Sequence, residues 1–119
     1  MTRVQHLTTD SFAAAVAGPG ITVIDFWAAW GGPCRAMAPQ FKRAAQLRPG
    51  YRFAKVDVDA EPALAARYGV RSIPTLIVIC DGEPIAAEAG VVAADQLVEA
   101  LDRIAAAPAR AAAEQEAAA

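Results

Sequence analysis

The sequence predicts an α/β domain: a central mixed β-sheet flanked by helices on both faces. Three observations predict it. Strand signals and helix signals alternate along the chain, the pattern of a sheet crossed by helices. "ITVIDFWA" (21–28) is apolar on both faces, which suits a central strand covered on two sides, and "IPTLIVI" (73–79) is a compact apolar strand. The chain then closes with a hairpin and an amphipathic helix, which adds antiparallel strands to the sheet.

Each element has a local reason. A short first strand is expected near Arg3–His6. In "HLTTDSF" (6–12), Thr8 offers an N-cap hydroxyl, and Leu7 and Phe12 are placed as a hydrophobic staple. That helix must stop at Gly18-Pro19-Gly20. The strand at 21–28 carries Asp25 in its middle, where burial penalises a charge. A helix follows over about 33–48, with Pro33 suited to its first turn. Its inward stripe is predicted as Cys34, Ala38, Phe41 and Ala45, with Met37 beside them. Pro39 falls inside the helix and is expected to kink it. "YRFAKVDVD" (51–59) alternates as a strand. Glu61-Pro62 opens a short helix that ends at Tyr68-Gly69. Asp81-Gly82 marks a tight hairpin between the strand at 73–79 and its return at 84–89. Pro84 places that return at a sheet edge. Gly90 breaks it, and Leu97, Leu101 and Ile104 mark the last helix. The expected division is a domain over 1–106 and an Ala-rich frayed helix or mobile tail over 107–119, which has no apolar stripe.

Composition narrows the function classes. The chain has 119 residues and a formal charge of −2, room for one ordinary core. It has no run of basic residues, which argues against a nucleic-acid partner. It has no apolar stretch approaching 18 residues, which argues against a membrane span. The opening "MTRVQHLTTD" lacks the apolar centre of a signal peptide, so the expected location is the cytoplasm. Two cysteines do not make a disulfide scaffold. His6 is the only histidine, and no ligand cluster accompanies it. No metal and no cofactor are expected, and the chain is read as a monomer.

The chemistry lies in "WAAWGGPCRAMAP" (27–39). Together with "VIDFWAAW", "KVDVD", "YGVRSIPTL", "DGE" and the closing helix, all in order, it resembles the thioredoxin family over about residues 4–105. The resemblance implies the thioredoxin fold and thiol–disulfide exchange. The family's motif is W-C-G-P-C. Here it reads Trp30-Gly31-Gly32-Pro33-Cys34, so Gly31 stands where the nucleophilic cysteine belongs. Exchange uses two thiols because the first forms a mixed disulfide with the substrate and the second releases it. That second attack is intramolecular, worth an effective concentration on the order of 10⁵ M or more.

The resemblance places Cys34 in the resolving role, behind the surface, and Gly31 removes the side chain that would cover it. It makes Asp25 the proton acceptor for that thiol, with Lys55 nearby; burial alone raises the pKa of Asp25. It implies a cis bond at Ile73-Pro74 and a substrate platform of Trp30, Gly32, Pro33, Ile73, Pro74 and Gly90. Trp27 shares a strand face with Asp25 and reads as core. Cys80 belongs to no motif and sits beside the hairpin turn, more accessible than Cys34. The implied partners are protein or peptide substrates and a thioredoxin reductase. The function expected is a thioredoxin-like protein with a degenerate single-cysteine site and weak or no dithiol exchange. The other reading is a non-catalytic peptide-binding or holdase module on the same platform.

Overall fold

The computed structural model describes residues 4–107. The proposed tail lies outside the described residues, apart from Ala107, which caps the last helix. The elements run β1 (Val4–His6), α1 (Thr9–Val16), β2 (Ile21–Trp27), α2 (Gly32–Leu47), β3 (Arg52–Asp57), α3 (Pro62–Arg67), β4 (Thr75–Cys80), β5 (Glu83–Ala89) and α4 (Ala94–Ala106). The sheet order is β1-β3-β2-β4-β5. β2 lies at the centre, parallel to β3 and antiparallel to β4.

Alternation along β2 divides the core. Ile21 and Val23 face α2 and α4, where they pack with Met37, Phe41, Leu97 and Leu101. Ile24 and Phe26 face the other way, with Phe12 of α1 and Leu64 of α3. Residues Ile21 to Phe26 are all buried, the outcome required of a central strand covered on both sides. The predicted stripe of α2 shifts slightly. Cys34, Met37, Phe41, Ala44 and Ala45 are buried, whereas Ala38 is only half-buried. The helix meets β3 and α4 together, so its buried face is wider than one i, i+4 row. α2 continues through Pro39 without a break.

Several ends are closed by specific bonds. Thr8 and Ser11 form a reciprocal capping box on α1. The Glu61 carboxylate accepts from the Thr9 amide at 2.7 Å, tying the start of α1 to that of α3. Asp102 of α4 accepts from Arg48 at 2.8 Å and from the Tyr51 hydroxyl at 2.7 Å. These bonds, Arg48 first, hold the Asp102 carboxyl below its ordinary range. At the hairpin, Asp81 and Gly82 both take positive φ (51° and 85°), the geometry of a two-residue turn that matches strand twist. β5 is an edge strand, and its register shifts so that Pro84 opposes Ile79 and Ala86 opposes Val78. The extra residue accommodates a proline that has no N–H to give.

Leu101 is fully buried between α4 and α2. Leu101→Ala is expected to cost about 2–5 kcal/mol. Urea unfolding should show a lower midpoint with an unchanged slope; a loss under 1 kcal/mol would mean that α4 adds little to the core.

Candidate functional site

The site forms where β2 ends and α2 begins, facing the turn before β4. After Ala28 the chain makes a tight turn, with the Gly31 amide donating to the Ala28 carbonyl at 3.2 Å. Gly31 is the N-cap of α2, Pro33 lies in its first turn, and the Cys34 amide donates to the Gly31 carbonyl at 3.2 Å. Opposite, the Ile73–Pro74 bond is cis, as the resemblance implies. The Gly90 amide donates to the Pro74 carbonyl at 2.8 Å, so these two residues, far apart in sequence, are joined. Trp30 is 68% exposed on the rim, and its indole N–H donates to Asp59 at 2.7 Å. Gly32 and Pro33 are exposed, Ile73 and Gly90 are half-buried, and Pro74 is buried. Ile73, rather than Pro74, therefore supplies the surface at this turn.

Gly31 decides the local packing. A Cβ built there would lie 2.9 Å from Ile73 Cδ1 and 3.1 Å from Cys34 Sγ. The Ile73 side chain thus occupies room that a side chain at position 31 would claim. Cys34 is only 5% exposed. The expectation that a glycine would uncover this thiol is not met: Cys34 stays buried with no side chain at position 31.

Asp25 is 1% exposed, and neither carboxylate oxygen has a hydrogen-bond partner. Lys55 is its register partner on β3. The Lys55 ammonium lies over the Trp27 ring, 4.9 Å from its centroid, a cation–π contact. Burial raises the Asp25 pKa from its ordinary 3.8 to about 6, and the charge of Lys55 limits the rise. Trp27, read from sequence as core, is half-buried, because it forms the floor under this ammonium. Among the described residues no three His, Cys, Asp or Glu side chains gather closely enough to hold a metal ion.

Fold, motif position and cis turn coincide with one family, and its model, "Thioredoxin", matches residues 3–103. The chain belongs to the thioredoxin family. It is 43% identical over 96 residues to a thioredoxin of Staphylococcus epidermidis, covering 80% of this chain and 92% of that one. It is 39% identical over 90 residues to putative thioredoxin 2 of Streptomyces coelicolor, covering 76% and 67% respectively. The solved structure of the Malassezia sympodialis thioredoxin Mala s 13 superposes with a TM-score of 0.79 at 32% identity, covering 87% of this chain and 91% of that one.

In this thioredoxin-family chain, two features of the site escape a reading of the sequence. Asp59 orients Trp30 from another loop, and its only sequence signal is its place in the "KVDVD" stretch. The approach of Ile73 to Gly31 has no signal, since 42 positions separate them.

Two predictions follow from burial. Cys80 is half-buried, its thiol pushed up by burial and then by Asp81, whereas Cys34 is buried. Native-state labelling with a thiol reagent, read by mass spectrometry, is expected to modify Cys80 faster than Cys34; the reverse order would show that the Cys34 thiol is reached readily in the native state. For Asp25, a raised folded pKa favours the protonated form in the native state. Its effect is fully favourable below 3.8 and declines as pH rises toward about 6. Above that, the ionised carboxylate costs roughly 3 kcal/mol relative to the protonated one. Asp25→Asn should therefore equal or exceed the parent in stability at pH 7.5, by up to about 3 kcal/mol, with the gain vanishing near pH 4. Urea melts at both pH values check this, and a clear loss at pH 7.5 would make Asp25 a required partner of Lys55.

Proposed function

We propose that this chain is a thioredoxin-family oxidoreductase whose site is degenerate, with weak or no dithiol–disulfide exchange. The reading rests on one observation. The position facing Cys34 at the N-cap of α2 is Gly31, and no second sulfur stands there.

The chemistry follows from that arrangement. If the Cys34 thiolate attacks a client disulfide, one sulfur–sulfur bond breaks, a mixed disulfide forms, and the other client sulfur leaves as a thiolate. Release needs a second thiolate to attack that mixed disulfide. In a two-cysteine site the attacker belongs to the same chain; here it must be an external thiol such as glutathione. The advantage of an intramolecular attack is lost, and turnover falls accordingly. Asp25, on the α2 side of the sheet, serves as proton acceptor for Cys34, with Lys55 modulating its charge. Trp30, Gly32, Pro33, Ile73 and Gly90 form the platform for an extended client segment, with Pro74 holding the turn beneath. The proposed clients are disulfide-bearing proteins or peptides, the external thiol supplies the electrons for release, and a thioredoxin reductase is the further partner that the resemblance implies. The chain works as a cytoplasmic monomer. No helix among the described residues is long and apolar enough to cross a membrane.

Geometry supports a direct test. The 3.1 Å from a Cβ at position 31 to Cys34 Sγ is close to the roughly 3 Å between a Cβ and the far sulfur of a disulfide. Only the flexible end of Ile73 stands in the way. Gly31→Cys is therefore expected to raise insulin-disulfide reduction in dithiothreitol by at least about 100-fold over the parent, given the size of the intramolecular advantage. Equal activity in both would mean that Cys34 turns over alone. Silence in both would mean that the chain is a binding module.

A further inference from the structure

The charges of this chain are unevenly placed. Although the formal charge is −2, the stretch from Phe26 to Val56 contains no Asp or Glu. It carries Arg35, Lys42, Arg43, Arg48, Arg52 and Lys55. Arg48 is engaged by Asp102 and Arg52 by Thr22. The remaining four lie on α2 and β3, and α2 has no acidic residue along its length to offset them.

Two of these four converge on a groove of about 400 Å³ between α2 and the β1–β3 edge of the sheet. Its floor is apolar, formed by Val4, Phe41 and Ala45. Its polar boundary is formed by His6, Lys42, Gln46 and Lys55. No carboxylate lines it. Neither lysine is held in a salt bridge among the described residues, and the Lys55 ammonium rests against the Trp27 ring. The α2 residues that line the groove begin at Ala38 and end at Gln46. They lie one to three helical turns beyond Cys34, roughly 6–18 Å along the axis, so the groove runs away from the thiol and shares only Lys55 with that site.

A site with an apolar floor and cations outside any salt bridge on its rim selects a ligand with both an apolar body and a negative head. The body gains from leaving water, and the head meets charge-assisted donors. A bare anion forgoes the first contribution and a neutral apolar molecule the second. The volume is within the range of small-molecule sites. We infer that the groove between α2 and β1 is a binding site for a small amphipathic anion, an aryl or alkyl phosphate or carboxylate, held by Lys42, Lys55 and His6 over Phe41.

The test is an NMR titration of the full chain with phenyl phosphate, with inorganic phosphate and benzyl alcohol as parallel probes. Phenyl phosphate is expected to produce saturable amide shifts centred on Val4–His6 and the middle of α2. Each control should bind at least several-fold more weakly. Lys42 is exposed, so Lys42→Glu should preserve the spectrum of the fold while weakening phenyl phosphate about fivefold or more, as expected for reversal of a surface charge at the head group. Absence of saturation would overturn the assignment, as would shifts centred on Gly32–Cys34 or an affinity unchanged in Lys42→Glu. Equal binding of benzyl alcohol would reduce the groove to an apolar cleft, and equal binding of inorganic phosphate would remove the role of its floor; either result overturns the proposed ligand class.

Discussion

The rest of the structure depends on the double pairing of β2. It is hydrogen-bonded to β3 on one edge and β4 on the other, and its residues from Ile21 to Phe26 are buried beneath helices on both faces. A strand so enclosed cannot shift by one residue without exchanging its two core faces. Its register therefore sets Asp25 opposite Lys55 and delivers the chain, at Ala28, to the turn that starts α2. The placement of Gly31 and Cys34 follows from where this strand ends.

The same enclosure explains the electrostatics. A carboxylate at the centre of an apolar strand, with no donor to either oxygen, is destabilised in its charged form. Lys55 offsets only part of that cost, since its ammonium is engaged with the face of Trp27. The fold retains a group that titrates near neutrality in a place where an apolar side chain would pack more favourably. Such raised carboxylates occur at functional sites and in structural charge networks alike, and here the carboxylate has Lys55 opposite it in the sheet.

The glycine at position 31 has close neighbours where a side chain would begin. Ile73 Cδ1 comes within 2.9 Å of where a Cβ would be, and Cys34 stays buried. Close packing makes this the expected response, because a small cavity forfeits contacts that a flexible neighbour can recover. Gly31 thus bears on packing as well as chemistry: Cys34 is buried although position 31 carries no side chain.

Local sequence alone determined the order of elements, the Thr8 cap, the Asp81-Gly82 hairpin and the edge position of Pro84. Each depends on backbone preferences or hydrophobic period within a few residues, which the chain carries wherever it folds. The resemblance added the cis turn and the meeting of Asp25 with Lys55. What only the tertiary structure decided are contacts between distant segments: Ile73 over Gly31, Asp59 holding Trp30, Lys55 on Trp27 rather than bonded to Asp25, and Ala44 joining the buried face of α2. These depend on how helices settle on a twisted sheet and on which side chains then share a space. No periodicity along one segment encodes that outcome, because it is a property of two surfaces in contact.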